Sequence, residues 1–254
     1  MNGDFVSRTS LRNRMLSVLP VEEFDIIRPH LQATFFERGT LLSRAGDALQ
    51  NCYFPNNGMI SLLCVTEQGG SVEAGYVGFE GILGTPAILG KNDMPYEALV
   101  QAPTDCLVVN SAAVLELFNR GGVFHDVFLR FSYVVLKQMS QTCVCNHFHR
   151  IEARLCRWLT VMCERSGNKS LSLTHEFLAH MLGVQRTSIG SIAASLQAAG
   201  IIRYRRGRVE IIDFDRLKAS ACDCYSIVKD EHQAFLSDKK FHAMSSNRQT
   251  PPFN

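Results

Sequence analysis

The chain has 254 residues, 46% hydrophobic and 20% charged, a globular balance that excludes a disordered chain and allows one large domain or two modest ones. Its 9 Cys are irregularly spaced, as reduced thiols rather than a disulfide framework would be, and no apolar run reaches the roughly 18 residues of a membrane span. The formal net charge of +2 hides a split: residues 1–149 hold 10 Lys/Arg against 14 Asp/Glu, residues 150–210 hold 10 against 4, and residues 211–254 balance at 6 each.

In chain order, Arg8, Arg12 and Arg14 precede only Met15 to Leu19 before Pro20, too short an apolar segment for a signal peptide, so the chain reads as cytoplasmic. From Glu37 to Val109, turn signals recur every 6 to 12 residues: Arg38-Gly39, Ala45-Gly46-Asp47, Pro55 to Gly58, Gln68 to Gly70 and Ala102-Pro103. Short strand-like runs lie between them, including Met59 to Val65, Ser71 to Val77 and Cys106 to Val109, and predict an antiparallel sandwich or roll. After Ser111 the period becomes helical. Phe124, Val127, Phe128, Phe131, Val135, Leu136, Met139 and Cys143 follow the i, i+3, i+4, i+7 template. This long amphipathic helix reads as a dimer seam through Phe124, Phe128, Phe131, Val135 and Met139, the alternative being an ordinary core helix. A second helix, Ile151 to Cys163, carries Arg154, Arg157 and Arg165 around its apolar stripe and stops at Ser166-Gly167-Asn168.

The stretch from Leu173 to Leu196 holds the most information. Thr174 is placed to cap a short helix with Glu176 in its first turn. Ala179, Gly183 and Ile189 then supply a small residue at a helix contact, a turn residue tolerant of positive φ, and a branched apolar lock. That spacing predicts a helix-turn-helix whose second helix exposes Gln185, Arg186, Thr187, Ser188 and Ser191 to a major groove. Residues 198–212 follow as a hairpin around Arg206-Gly207, a wing whose Arg203, Arg205, Arg206 and Arg208 suit phosphate contacts. Double-stranded DNA is the expected partner. Past Lys229 the chain turns polar, and Ser245 to Asn254 reads as a disordered tail.

With these motifs the chain resembles the Crp/Fnr superfamily of bacterial transcription regulators. The resemblance also covers Leu19 to Glu23, Gly39 to Asp47, Tyr53 to Leu63 and Ile151 to Leu155. It implies an α+β fold: an N-terminal antiparallel β-roll of cyclic-nucleotide-binding type, a long dimerisation helix and a C-terminal winged helix-turn-helix, acting as a homodimer on a palindromic operator. The corresponding divisions are residues 1–120 (sensor), 121–149 (dimer helix), 150–225 (DNA-binding domain) and 226–254 (C-terminal extension). In that family an Arg early in the recognition helix contacts a guanine, and Arg186 holds the slot. Thr187 and Ser191 replace the family's usual Glu and second Arg, so a different operator is expected. RNA polymerase is a further partner of such regulators, through a surface the sequence does not mark.

Cyclic-nucleotide-binding members hold the phosphate with a Gly-Glu pair and an Arg-Ser/Thr-Ala run. Here the matching positions are Gly81-Ile82 and Tyr96-Glu97-Ala98, and Glu97 would meet the phosphate with like charge. The small-molecule effector is therefore expected not to be cyclic AMP. No Cys precedes Cys52, so the N-terminal iron-sulfur cluster of the oxygen-sensing members is not expected, and no cofactor is called for.

Cys143, Cys145, His147 and His149 form two i, i+4 pairs if the long helix continues. They read either as packed side chains at a helix junction or as a metal- or redox-sensing set, with Cys222 and Cys224 as a separate thiol pair. An enzyme is not expected: a metal-dependent barrel needs converging His, and none lies between Gln32 and Val109. A dimeric interaction scaffold that lost DNA reading is the remaining alternative, and salt dependence would separate it from a DNA binder.

Overall fold

The computed structural model describes residues 11–237. Arg8 and the tail predicted at Ser245 to Asn254 lie outside the described residues. Helices α1 (Arg14–Ser17) and α2 (Val21–Ile27) precede strands β1 (Gln32–Phe36), β2 (Leu41–Ser43), β3 (Asn51–Pro55), β4 (Met59–Val65), β5 (Ser71–Val77), β6 (Glu97–Ala102) and β7 (Thr104–Asn110). The strands pair antiparallel into two sheets, ordered β1-β7-β3 and β2-β6-β4-β5. Phe54, Ile60, Leu62, Val100 and Leu107 contribute to one shared core.

β4 explains its own composition. Met59 to Leu63 are all buried, although a strand with one face in water would alternate. Ile60 and Leu62 belong to the core of the roll, whereas Met59 and Leu63 belong to a second core that includes Trp158 and Leu159. The unbroken run of buried residues, apolar but for Ser61, thus marks a strand covered on both faces.

Asn110 caps α3 (Ser111–Asn119) by accepting from the Ala112 N–H at 2.9 Å. Gly121 and Gly122, both at positive φ, then turn the chain into α4 (Gly122–Phe148), whose first amides Val123 and Phe124 donate to the Glu23 carboxylate at 2.9 and 2.7 Å. This carboxylate, delivered from α2, satisfies orphan donors at the positive end of the helix dipole. At 27 residues, α4 is about 40 Å long. The elbow at His149 and Arg150, both extended, leads to α5 (Ile151–Ser166), which ends on Gly167 in the left-handed region.

The C-terminal part contains β8 (Ser170–Ser172), α6 (His175–Leu182), α7 (Arg186–Ala198), β9 (Ile202–Arg205), β10 (Arg208–Ile211) and α8 (Phe214–Ala219), with a sheet ordered β8-β10-β9. The boundary expected at residue 225 lies just inside a helix. Helix α9 (Cys224–Leu236) straddles that boundary and packs along α4, burying Tyr225, Val228, His232 and Phe235. Their spacing of 3, 4 and 3 makes an apolar stripe that the surrounding polar residues hide in a composition window.

Candidate nucleic-acid interface

α6 starts where Thr174 Oγ1 accepts from the Phe177 N–H at 3.1 Å, with Glu176 in its first turn. It stops at Gly183, whose φ of 61° an L side chain rarely adopts, and the Val184 N–H closes the turn onto the Ala179 carbonyl at 3.0 Å. Leu178, Ala179, Leu182, Ile189, Ala193 and Leu196 form the buried contact between α6 and α7. The spacing read from the sequence is the helix-turn-helix of the structure. On α7, Gln185 is the N-cap; Gln185, Arg186, Thr187 and Ser191 are exposed, and Ser188 is half-buried. Arg186 sits 3.8 Å from Glu176 with both side chains well exposed, a surface pair worth little.

The wing turns on Arg206 and Gly207, both at positive φ (49° and 74°), as a two-residue type I′ hairpin requires. Arg205 lies opposite Arg208, and Arg203 opposite Glu210. Strand alternation puts these four on one face and Tyr204 and Val209 on the other. Arg203 pairs with Glu210 at 2.9 Å. Like charges directly opposite each other destabilise a sheet, so the Arg205/Arg208 juxtaposition points to a use outside the fold. Tyr204 stacks on His175 at 4.3 Å and donates its hydroxyl to the Leu173 carbonyl at 2.9 Å, which seats the wing beside the start of α6.

The basic excess of residues 150–210 does not all reach this surface. Arg154 is buried and donates to the Leu182 carbonyl, and Arg165 forms an ion pair with the fully buried Glu80 of the β-roll. Burial works to raise the Glu80 pKa, but Arg165 and then His232 outweigh it and hold the carboxyl below its usual range. Burial pushes the Glu73 carboxyl up, against the Ser61 hydroxyl, the Arg157 charge and the Trp158 indole N–H, which donates to it at 3.1 Å. Arg157 and Arg165 thus face carboxylates of the roll, and Arg154 ties α5 to the end of α6; the exposed cations of residues 150–210 are Arg150, Lys169, Arg186, Arg203, Arg205, Arg206 and Arg208, the last five on α7 and the wing.

A cyclic nucleotide-binding domain model matches residues 33–121, and a Crp-like helix-turn-helix domain model matches residues 153–220. The chain belongs to the Crp/Fnr family. It is a DNA-binding transcription regulator with both domains of that family. No curated protein is significantly similar to it in sequence. Solved structures share the fold at low identity. A Crp/Fnr-family protein from Eubacterium rectale is 15% identical over 81% of this chain and 96% of its own, with a TM-score of 0.68. The c-di-GMP-responsive global regulator CLP of Xanthomonas campestris is 16% identical over 75% and 98%, with a TM-score of 0.61. FixK2 from Bradyrhizobium japonicum is 10% identical over 76% and 98%, with a TM-score of 0.62.

In this Crp/Fnr chain the five side chains predicted for the dimer seam face inward. Phe124, Phe128, Phe131 and Val135 are buried in the protomer's own core, and Met139 packs against it, because the roll offers α4 an apolar face to cover. The exposed apolar side chains of α4 are instead Leu129, Tyr133, Leu136, Val144 and Phe148. Of the predicted effector positions, Ile82, Tyr96 and Ala98 lie in the core, Glu97 is half-buried, and Phe131 covers Gly81 so closely that a Cβ there would fall 1.9 Å from the ring. A separate cavity of about 330 Å³, lined by Ser43, Asp47, Asn51, Tyr53, Leu83 and Met94 among others, opens beside them. Of the Cys/His set, Cys143 and His147 are exposed, with His147 edge-on to Phe148. Cys145 and His149 turn the other way, toward Cys222 and Cys224. Among the described residues, no helix is long and apolar enough to cross a membrane.

Proposed function

We propose that the chain acts as a homodimer on a palindromic operator, with α7 in the major groove and the wing on the flanking phosphates. The observation that carries this reading is the pairing of an exposed α7 start, Gln185, Arg186, Thr187 and Ser191, with an adjoining wing. Among the described residues, Arg205, Arg206 and Arg208 of that wing have no ion-pair partner. Arg186 is the guanine reader, since a bidentate Arg–guanine contact is worth about 1–3 kcal/mol of discrimination. The wing arginines hold phosphates and carry no base preference.

The second copy covers the outer face of α4. Leu129, Tyr133, Leu136 and Ser140 repeat at intervals of 4, 3 and 4, the spacing of a two-helix seam, and Val144 and Phe148 extend the exposed apolar surface toward the helix end. The sensor does not take a cyclic nucleotide. Gly81, Ile82, Tyr96, Glu97 and Ala98 offer a carboxylate and no cation to a phosphodiester, and Asp47 on the neighbouring cavity disfavours an anion there too.

Selection from a random duplex library tests the reading. The wild-type chain should enrich a palindrome with half-sites about one helical turn apart. Arg186→Ala should lose base preference at one position per half-site. Arg205→Ala should weaken every sequence alike and lower the log–log salt slope by about 0.9 for each phosphate that is no longer neutralised. Enrichment of single, non-palindromic sites by a monomer, or an unchanged motif with Arg186→Ala, would refute it.

A further inference from the structure

Cys145, in the last turn of α4, and His149, in the elbow before α5, meet Cys222 and Cys224, which flank the start of α9. The Cys145 and Cys222 sulfurs lie 3.5 Å apart, Cys224 Sγ lies 3.4 Å from His149 Nδ1, and all four donor atoms fall within 4.8 Å of one another. The three thiols are buried, and His149 is half-buried. A tetrahedral cation with metal–sulfur bonds of about 2.3 Å and metal–nitrogen bonds of about 2.0–2.1 Å has ligand–ligand edges of roughly 3.4–3.8 Å. The two close distances match those edges. A disulfide at about 2.05 Å would use only two of the four donors and leave the imidazole unexplained.

The surroundings also suit a metal. Thiols that act as small hydrophobes sit inside an apolar core, but these three form a cluster of their own, and among the described residues Ala153 is the one partly buried apolar side chain packed against it. His149 Nε2 faces the Asp223 carboxylate at 3.3 Å, which fixes the tautomer that leaves Nδ1 free to ligate, the usual carboxylate–histidine–metal arrangement. The Gln141 amide donates to Cys224 Sγ at 3.1 Å, a hydrogen bond that supports a thiolate.

We propose that Cys145, His149, Cys222 and Cys224 form a closed tetrahedral zinc site that fastens both ends of the DNA-binding domain to the α4–α5 elbow. Three thiolates and an imidazole select a borderline-soft divalent ion, and four protein ligands leave no position for substrate, so the site is structural. Each thiol gives up its proton to solvent as it ligates. Cys145 and Cys222 lie 77 residues apart, so the metal closes a loop that contains the whole winged domain and sets its angle to α4. This inference does not depend on how the domain reads DNA.

The test is metal analysis of the full-length chain, purified with reductant, supplied with zinc and desalted. One zinc per chain is expected, and cobalt replacing it should show a thiolate-to-cobalt charge-transfer band with intense tetrahedral d–d bands. Cys145→Ser and Cys222→Ser should abolish stoichiometric zinc, whereas Cys143→Ser and His147→Ala should keep it. Asp223→Asn should weaken zinc about 10- to 100-fold in competition with a chromophoric chelator. Should the ligand variants fail to fold, zinc content and the cobalt spectrum of the wild type decide alone. A wild type without stoichiometric zinc, a cobalt spectrum without thiolate bands, or a Cys145–Cys222 disulfide in the reduced preparation would overturn the proposal.

Discussion

Glu80 and His232 meet at the junction between the roll and the C-terminal helices, with His232 Nδ1 3.6 Å from the carboxylate and 3.0 Å from Arg165 Nη2, and Gln138 and Tyr76 closing the other sides. Burial, then Arg165, holds the His232 pKa below its ordinary value, with Glu80 and Glu231 opposing. The unfolded chain therefore takes up a proton near pH 6.5 that the native state refuses, and stability falls as pH drops through and below that value. Glu80, depressed in the folded state, loses its contribution at still lower pH; Glu73, raised, runs the opposite way. Comparing His232→Gln with wild type isolates the histidine: between pH 7.5 and 5.5 the wild type should lose more melting temperature than the variant. Equal losses would show that His232 does not titrate across unfolding. None of this junction was legible in the sequence, since Glu80 and Arg165 are 85 residues apart and nothing local links them. Thr174, Ala179, Gly183 and Ile189 were legible because each acts within one helix-turn-helix, where spacing alone fixes the contacts.

Helix α4 carries two apolar stripes, and periodicity alone did not say which one faces the roll. The inner stripe contains Phe128, fully buried; the outer contains Leu136, 62% exposed in the protomer. Phe128→Ala should cost the fold about 3–5 kcal/mol through the cavity it leaves, measured by denaturant titration. Leu136→Glu should leave protomer folding intact and shift sedimentation from dimer to monomer, because it places like charges against each other on the symmetric seam. If Leu136→Glu remained fully dimeric, the seam would lie elsewhere. α9 was hidden in the sequence for a related reason: its stripe of Tyr225, Val228, His232 and Phe235 includes a histidine, which reads as polar until a buried partner is known.

At the scale of the whole molecule, the winged domain rests on the outer face of the β4–β5 sheet through Met59, Leu63 and Tyr76, packed with Trp158, Leu159 and Met162. α6 also contacts β5, where Gly183 approaches Val72 so closely that a Cβ would sit 3.2 Å from its side chain. Leu63→Asp should open this seam while sparing the core of the roll. The expected readouts are a larger radius in small-angle scattering and new proteolysis at the His149–Arg150 elbow. An unchanged radius and cleavage pattern would mean that the seam holds without its apolar packing.

The sequence by itself determined the alternation of short strands and turns in the N-terminal part, the long helix, the helix-turn-helix, the wing and the family, because caps, turns and periodic stripes act over a few residues. Only the tertiary structure decided which stripe of α4 stays exposed and that Arg154 and Arg165 leave the DNA-facing charge for the domain junction. It also decided that Cys145 and His149 converge with Cys222 and Cys224 rather than with Cys143 and His147. Those outcomes depend on contacts between segments far apart in the chain, from 28 residues for Arg154 and Leu182 to 85 for Arg165 and Glu80, whose geometry is set by how the cores pack and not by any local preference of the chain.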